Sequence, residues 1–224
     1  MTSSIASPDT VASSSLHPAP RLRLHRMRLS GHCHRVELFL SLLGLRFEAI
    51  DVDLAAGEHK TPAFLALNPL GQVPVLQDGE LTLPDSNAIL VYLARRYAGP
   101  EWWPQDPLQQ ARLQRWFSIA AGPLAQGAAA ARAIVLFKRP FSPEGPIATA
   151  HALLAVMEAH LQGQSWLLGD RVSLADLSLY SYTEAVPEGQ VSLQPYPAVQ
   201  QWLRKVEALP GFVPMPRSPV GLRA

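Results

Sequence analysis

Four short stretches carry side chains or backbone that could do chemistry. "NPLGQVPVL", Asn68 to Leu76, sets Pro74 among Val73, Val75 and Leu76, the apolar start of a strand. Proline has no N–H for a ladder and is normally excluded from a central strand. Two readings are open. Pro74 opens an edge strand, or Val73–Pro74 is cis and turns the Val73 backbone outward, where it can pair with an extended, peptide-like ligand. Asp85 and Ser86 precede a helical run; they can form an anion site at its N-terminus or serve only as its cap. Lys60 is a cation that can face a ligand or solvent. Cys33, the one cysteine, lies in "SGHC" where a helix begins. A thiol in a first turn is acidified, whereas an isolated cysteine is commonly a small buried hydrophobe.

The elements that must position these residues follow from hydrophobic period. Leu22 and Leu24 alternate with basic residues as a strand. Val36, Phe39, Leu40 and Leu43 share a helical face that Gly44 ends. "FEAIDVDL" alternates again, with Ile50, Val52 and Leu54 on one side, a second strand parallel to the first across the helical crossover. A short helix fits Pro62 to Leu67. The proline-bearing stretch then leads to a hairpin turning at Asp78-Gly79, followed by a helix from about Ser86 to Tyr97. "GPEWWPQDP" reads as a linker, and every pattern beyond it is helical. Ser173 with Asp176 has capping-box spacing before "LADLSLYSYTEAV", a folding feature.

The expected organisation is a disordered tail over 1–20 and an α/β domain over 21–99. A linker over 100–105, an all-helical domain over 106–217 and a short tail over 218–224 complete it. Lys and Arg number 19 against 18 Asp and Glu, which gives no electrostatic case for nucleic acid or an anionic membrane. No run of about 18 apolar residues exists, which excludes a spanning helix on this reading. A single cysteine allows no internal disulfide or thiolate metal cluster and suits a reducing, cytoplasmic setting.

"SGHCHRVELFLSLLGL", "GEHKTPAFLALNPLGQVPVL", "LPDSNAILVYLARRY", "WLLGDRVSLADLSLY" and "YPAVQQWLRKVEALPGF" occur in the order and spacing of the soluble glutathione transferases. The resemblance spans residues 22 to 216. It implies a thioredoxin-like N-terminal domain followed by an all-helical C-terminal domain, usually as a homodimer. It further implies conjugation of glutathione, as co-substrate and without a metal, to small hydrophobic electrophiles. On the same basis Pro74 is cis and Val73 pairs with the cysteinyl backbone of glutathione. Ser30 resembles the hydroxyl residue that donates to the sulfur. His59 and Lys60 resemble a pair that holds the glycyl carboxylate, with Gln72 beside them. Asp85 and Ser86 resemble the acidic-Ser pair that binds the γ-glutamyl amine and carboxylate. The family more often has Glu where Asp85 stands, and several classes have Asn where His32 stands. A glutathione-dependent disulfide reductase or peroxidase aided by Cys33, and a non-catalytic binding module, are the alternative functions.

Overall fold

In the computed structural model, residues 21–224 are described, and the expected N-terminal tail lies outside them. Alternation at the start of this region produces strand β1 (Leu22–Arg26), with Leu22 and Leu24 buried. β1 pairs in parallel with β2 (Phe47–Asp51) and antiparallel with β3 (Val75–Asp78), which pairs with β4 (Leu81–Pro84). The strand order is β2-β1-β3-β4. The second strand is shorter than its sequence pattern, since Val52 and Leu54 lie beyond its pairing.

Helices cover both faces. Helix α1 (Gly31–Leu42) and helix α3 (Ser86–Tyr97) share one core with Leu24 and Leu76. Helix α2 (Pro62–Leu67) lies against the opposite face, where Phe64 meets Val52 and Val75. The period-2 alternation of β3 explains the split, because Leu76 and Val75 point to opposite sides. Gly44, at φ +63°, takes the left-handed conformation just past α1. Glycine pivots the hairpin as well, Gly79 having φ +61°.

The proline-rich connection is pinned rather than loose. Pro100–Trp102 form a 3₁₀ turn, and the Trp102 ring lies 4.9 Å from that of Phe39. Asp106 then caps helix α4 (Pro107–Ile119), accepting from the Gln109 N–H at 2.8 Å. The helix does not stop at Pro123. Residues Ala120–Ala129 widen into π-type turns and continue into α5 (Ala130–Leu136). Proline removes an N–H and crowds the preceding turn, and wider turns absorb both effects. By length and composition, residues 107–136 could cross a membrane, which the sequence pattern did not suggest. Its apolar side chains Leu113, Trp116, Phe117 and Leu124 are in the core. Close packing on α6 (Glu144–Leu161) requires Gly127, where an added Cβ would meet the Ala150 nitrogen at 2.7 Å.

Helix α7 (Leu174–Glu184) is buried along its whole length, and α8 (Pro197–Glu207) closes the bundle. Asp176 accepts from the Ser173 N–H at 2.8 Å and from the Ser173 hydroxyl at 2.7 Å. Its second oxygen accepts from the Leu167 N–H and the Trp202 indole. Residues 218–224, expected as a tail, are tied down. Arg223 pairs with Glu184 and Glu188, and the Ser218 N–H donates to Glu188.

Candidate functional site

Ser30 ends the loop after β1 and caps α1. Its Oγ accepts from the Cys33 N–H at 3.3 Å, and its own N–H donates to the Met27 carbonyl. The hydroxyl, 8% exposed by residue, faces a cleft of about 1040 Å³ lined also by His32, His59, Lys60, Gln72 and Val73. The far wall comes from the helical domain, through Ala125, Ala129, Arg132, Phe137 and Tyr182. An adjoining recess of about 260 Å³ is lined by Pro74, Asp85 and Ser86 and shares His32, Gln72 and Val73 with the cleft. The eight residues that the resemblance assigned to glutathione therefore all line these two adjoining cavities, and Cys33 lines neither.

Local structure accounts for each placement. The Val73–Pro74 bond is cis, and the β3 register begins only at Val75, so Val73 stands ahead of the paired strand. Asn68 holds this turn by donating to the Gln72 carbonyl at 2.8 Å. His59 and Lys60 end a 3₁₀ turn, Glu58–Lys60. Lys60 Nζ lies 3.5 Å from the Leu70 carbonyl, and His59 Nδ1 is buried without a partner. Asp85 caps α3, accepting from the Ala88 N–H at 2.8 Å, so the cap reading is realised. It does so at φ +73°, unusual for a residue with a Cβ. Such outliers concentrate at functional sites. Ser86, the first residue of the helix, is buried.

Three arrangements were not legible beforehand. Arg35, 1% exposed, donates to Ser86 Oγ at 3.2 Å and to Asn87 Oδ1 at 3.0 Å. Its Nε and Nη2 have no partner, and among the described residues no carboxylate pairs with it. Burial pushes its pKa down to about 10, which leaves it cationic at neutral pH. Arg132 reaches from α5 to donate to the Leu29 carbonyl at 2.5 Å, next to Ser30, while pairing with buried Glu188 at 2.7 Å. Tyr182, on α7, packs its ring 4.9 Å from that of His32. A charge inside an otherwise apolar helical face was the available signal for Arg35. Nothing local marked Arg132 or Tyr182, because long-range packing places both.

Electrostatics separate the candidates near Ser30. Cys33 is fully buried, and its sulfur accepts from the Met27 N–H at 3.4 Å. Burial pushes the thiol up to about 11, with the hydrogen bonds from Ser30 and Met27 opposing only part of the rise. A protonated, enclosed thiol suits the small-hydrophobe reading and not a nucleophile. His32 is driven down to about 3 by burial and by Arg35, so it is neutral in the cleft. On α4, Trp116 is core and donates to the Leu167 carbonyl. It borders a separate crevice with Arg112 and Arg115.

Known proteins carry the same framework. Residues 20–95 match the family described as glutathione S-transferase, N-terminal domain, and residues 148–210 match glutathione S-transferase, C-terminal domain. Glutathione S-transferase 3 from Zea mays is 35% identical over 217 residues, covering 88% of this chain and 97% of the relative. A crystal structure of a possible glutathione S-transferase from Rhodopseudomonas palustris superposes with a TM-score of 0.80 at 34% identity. That match covers 89% of this chain and 92% of the other. A glutathione transferase homologue from Drosophila mojavensis, solved with bound glutathione, superposes with a TM-score of 0.78 at 26% identity, covering 84% and 88%. With both domains matched in order and nearly the whole length of a relative aligned, the chain belongs to the glutathione S-transferase family of enzymes.

Proposed function

We propose that the cleft binds glutathione in extended form and presents its sulfur, as thiolate, to a small electrophile. The supporting observation is the sorting of charge along one surface. Lys60 stands at one end, Asp85 and the Arg35–Ser86 pair at the other, and the unpaired Val73 backbone between them. Glutathione has the matching order: a glycyl carboxylate, a central peptide unit, and a γ-glutamyl end carrying an ammonium and a carboxylate. His59 and Gln72 complete the glycyl end. Asp85 takes the ammonium. Ser86, backed by Arg35 and by the α3 N-terminus, takes the carboxylate.

At the sulfur, the Ser30 hydroxyl donates a bond that favours thiolate over thiol. A reference thiol of pKa about 8.5 is roughly 3% ionised at pH 7, and lowering it by about two units needs about 2.7 kcal/mol. The thiolate fraction then rises about twentyfold, while the lower intrinsic nucleophilicity removes nearly tenfold. Most acceleration must therefore come from holding the electrophile against the sulfur. The small side chains of Ala125, Ala129 and Ala133, with Phe137, offer an apolar wall for that purpose. A homodimer and a cytoplasmic setting belong to the same reading. Leu70 and Leu81, 73% and 40% exposed, give a second copy apolar surface to cover, and light scattering on the purified chain checks the dimer.

Turnover of an activated aryl halide tests the reading. Ser30→Ala is expected to raise the pKa of the bound thiol and lower kcat/KM at pH 7 by a few-fold while glutathione still binds. An unchanged rate removes Ser30 from its assigned role.

A further inference from the structure

Tyr182 lies where the helical domain meets the first turn of α1. An added Cβ on Gly31 would stand 2.9 Å from both Cε2 and the hydroxyl-bearing Cζ of Tyr182. Gly31 is therefore glycine because the phenol occupies the space a side chain would need, and the hydroxyl-bearing carbon of that phenol lies against the residue next to Ser30. The ring is fixed from two further sides. It meets His32 edge-on at 4.9 Å, and α7 is buried on every face. Tyr182 lines the same cleft as Ser30, and its hydroxyl is not among the buried polar atoms left without a partner. A phenol packed this tightly usually engages its hydroxyl in the core; here the hydrogen-bonding group acting on it is Ser30, at the wall of the cleft.

The surrounding charge is positive on the protein side. Arg35 from α1 and Arg132 from α5 both act on the phenol, and Cys33 beside it is a neutral thiol. His32 is neutral, and Asp53, His59, Lys60 and Arg139 line the cleft further out. Burial raises the phenol's pKa, with Arg35, Ser30 and Arg132 pulling against the rise. Tyr182 thus keeps its proton at neutral pH as a donor.

We propose that Tyr182 is a second catalytic hydroxyl, donating a hydrogen bond to the glutathione sulfur from the helical-domain side while Ser30 donates from α1. The proposal rests on the cleft being glutathione's site. Two donors aimed at one sulfur favour the thiolate more than either alone, and neither is consumed. The thiol proton leaves to solvent, and both hydroxyls keep theirs. Because Tyr182 comes from the second domain, the reaction centre is complete only when the domains are docked.

The test is Tyr182→Phe, which keeps the ring packing on Gly31 and His32, compared with Ser30→Ala and the double variant in the full-length chain. Three readouts are taken: calorimetric glutathione affinity, ultraviolet titration of the bound thiolate, and the pH profile of kcat/KM for an activated aryl halide. Tyr182→Phe is expected to bind glutathione within about threefold of the parent, a loss below 1 kcal/mol. Its bound thiol should titrate about 1 higher in pKa. The pH profile should move to alkaline pH with it, and the double variant should exceed both single ones. If Ser30→Ala raises the thiol pKa and Tyr182→Phe does not, the second hydroxyl is overturned and the Ser30 assignment survives. If Tyr182→Phe raises it and Ser30→Ala does not, the proposal holds and the Ser30 assignment falls. If the parent chain does not take up glutathione, both fall.

Discussion

Arg35 is the clearest anomaly among single residues: a guanidinium removed from water with two unpartnered nitrogens and, among the described residues, no salt bridge, Asp85 acting on it only through space. Burying a charge without a partner is costly, so the fold tolerates this one for what it can meet at the recess. Replacement by methionine should leave the chain folded and no less stable, since a similar apolar volume fills the site without desolvation. Glutathione affinity should fall roughly 10- to 100-fold, the worth of a hydrogen bond to a charged group. Calorimetry beside denaturant melts separates the two effects, and an unchanged affinity would confine Arg35 to supporting Ser86. The residues legible in sequence were those announced by their neighbours: Pro74 by its misfit in a strand, Asp85 and Ser86 by the helix they open. Cys33 was ambiguous there, because the first turn that would acidify a thiol is the same turn that buries it.

Among elements, α7 depends most on a single side chain. Asp176 binds its own N-terminal turn through Ser173, the preceding loop through the Leu167 N–H at 3.0 Å, and α8 through the Trp202 indole at 2.8 Å. Full burial pushes its pKa up, and these hydrogen bonds pull against that rise. Asp176→Ala strands two buried donors outside its own turn, each worth about 1–3 kcal/mol. Equilibrium denaturation should show a loss above about 3 kcal/mol, with Asp176→Asn falling between because one oxygen is kept. A loss below 1 kcal/mol would mean that the surrounding donors find other partners. Ser173 and Asp176 were visible in sequence by their spacing, but their ties to Leu167 and Trp202 were not, since those cross 9 and 26 residues. Likewise strand and helix periods revealed the elements of the first domain, while a proline at 123 marks a break in a helix without saying that π-type turns carry the helix through it.

For the molecule as a whole, the joining of the two domains governs both stability and site. His34 of α1 bonds Ser181 of α7 at 2.8 Å and the Val213 carbonyl at 2.9 Å. Burial, with Arg35 adding to it, pushes His34 down to about 4, against a partly opposing bond to Val213. The unfolded chain takes up this proton near pH 6.5 and the folded one only near pH 4, so the stabilisation is present above about 6.5. As pH falls from there through about 4, on the order of 3 kcal/mol should be lost. Thermal melts of the parent should track that window. His34→Gln should flatten the slope between pH 6.5 and 4, and an unaltered slope would assign the acid sensitivity to other groups. This joining explains the limit of legibility at the largest scale. The two-domain order could be read from local patterns, whereas Arg132 at the Leu29 carbonyl and Tyr182 over Gly31 exist only once the domains dock.

Whether Lys60, Val73 and Asp85 border one surface built for an extended thiol peptide is decided by calorimetric titration of the full-length chain. Glutathione and its des-γ-glutamyl fragment, cysteinylglycine, serve as the two ligands. Glutathione should bind saturably below millimolar Kd and the fragment at least tenfold more weakly, because Asp85, Ser86 and Arg35 then hold nothing. Equal affinity for the two, or no heat with glutathione at millimolar concentration, would contradict it.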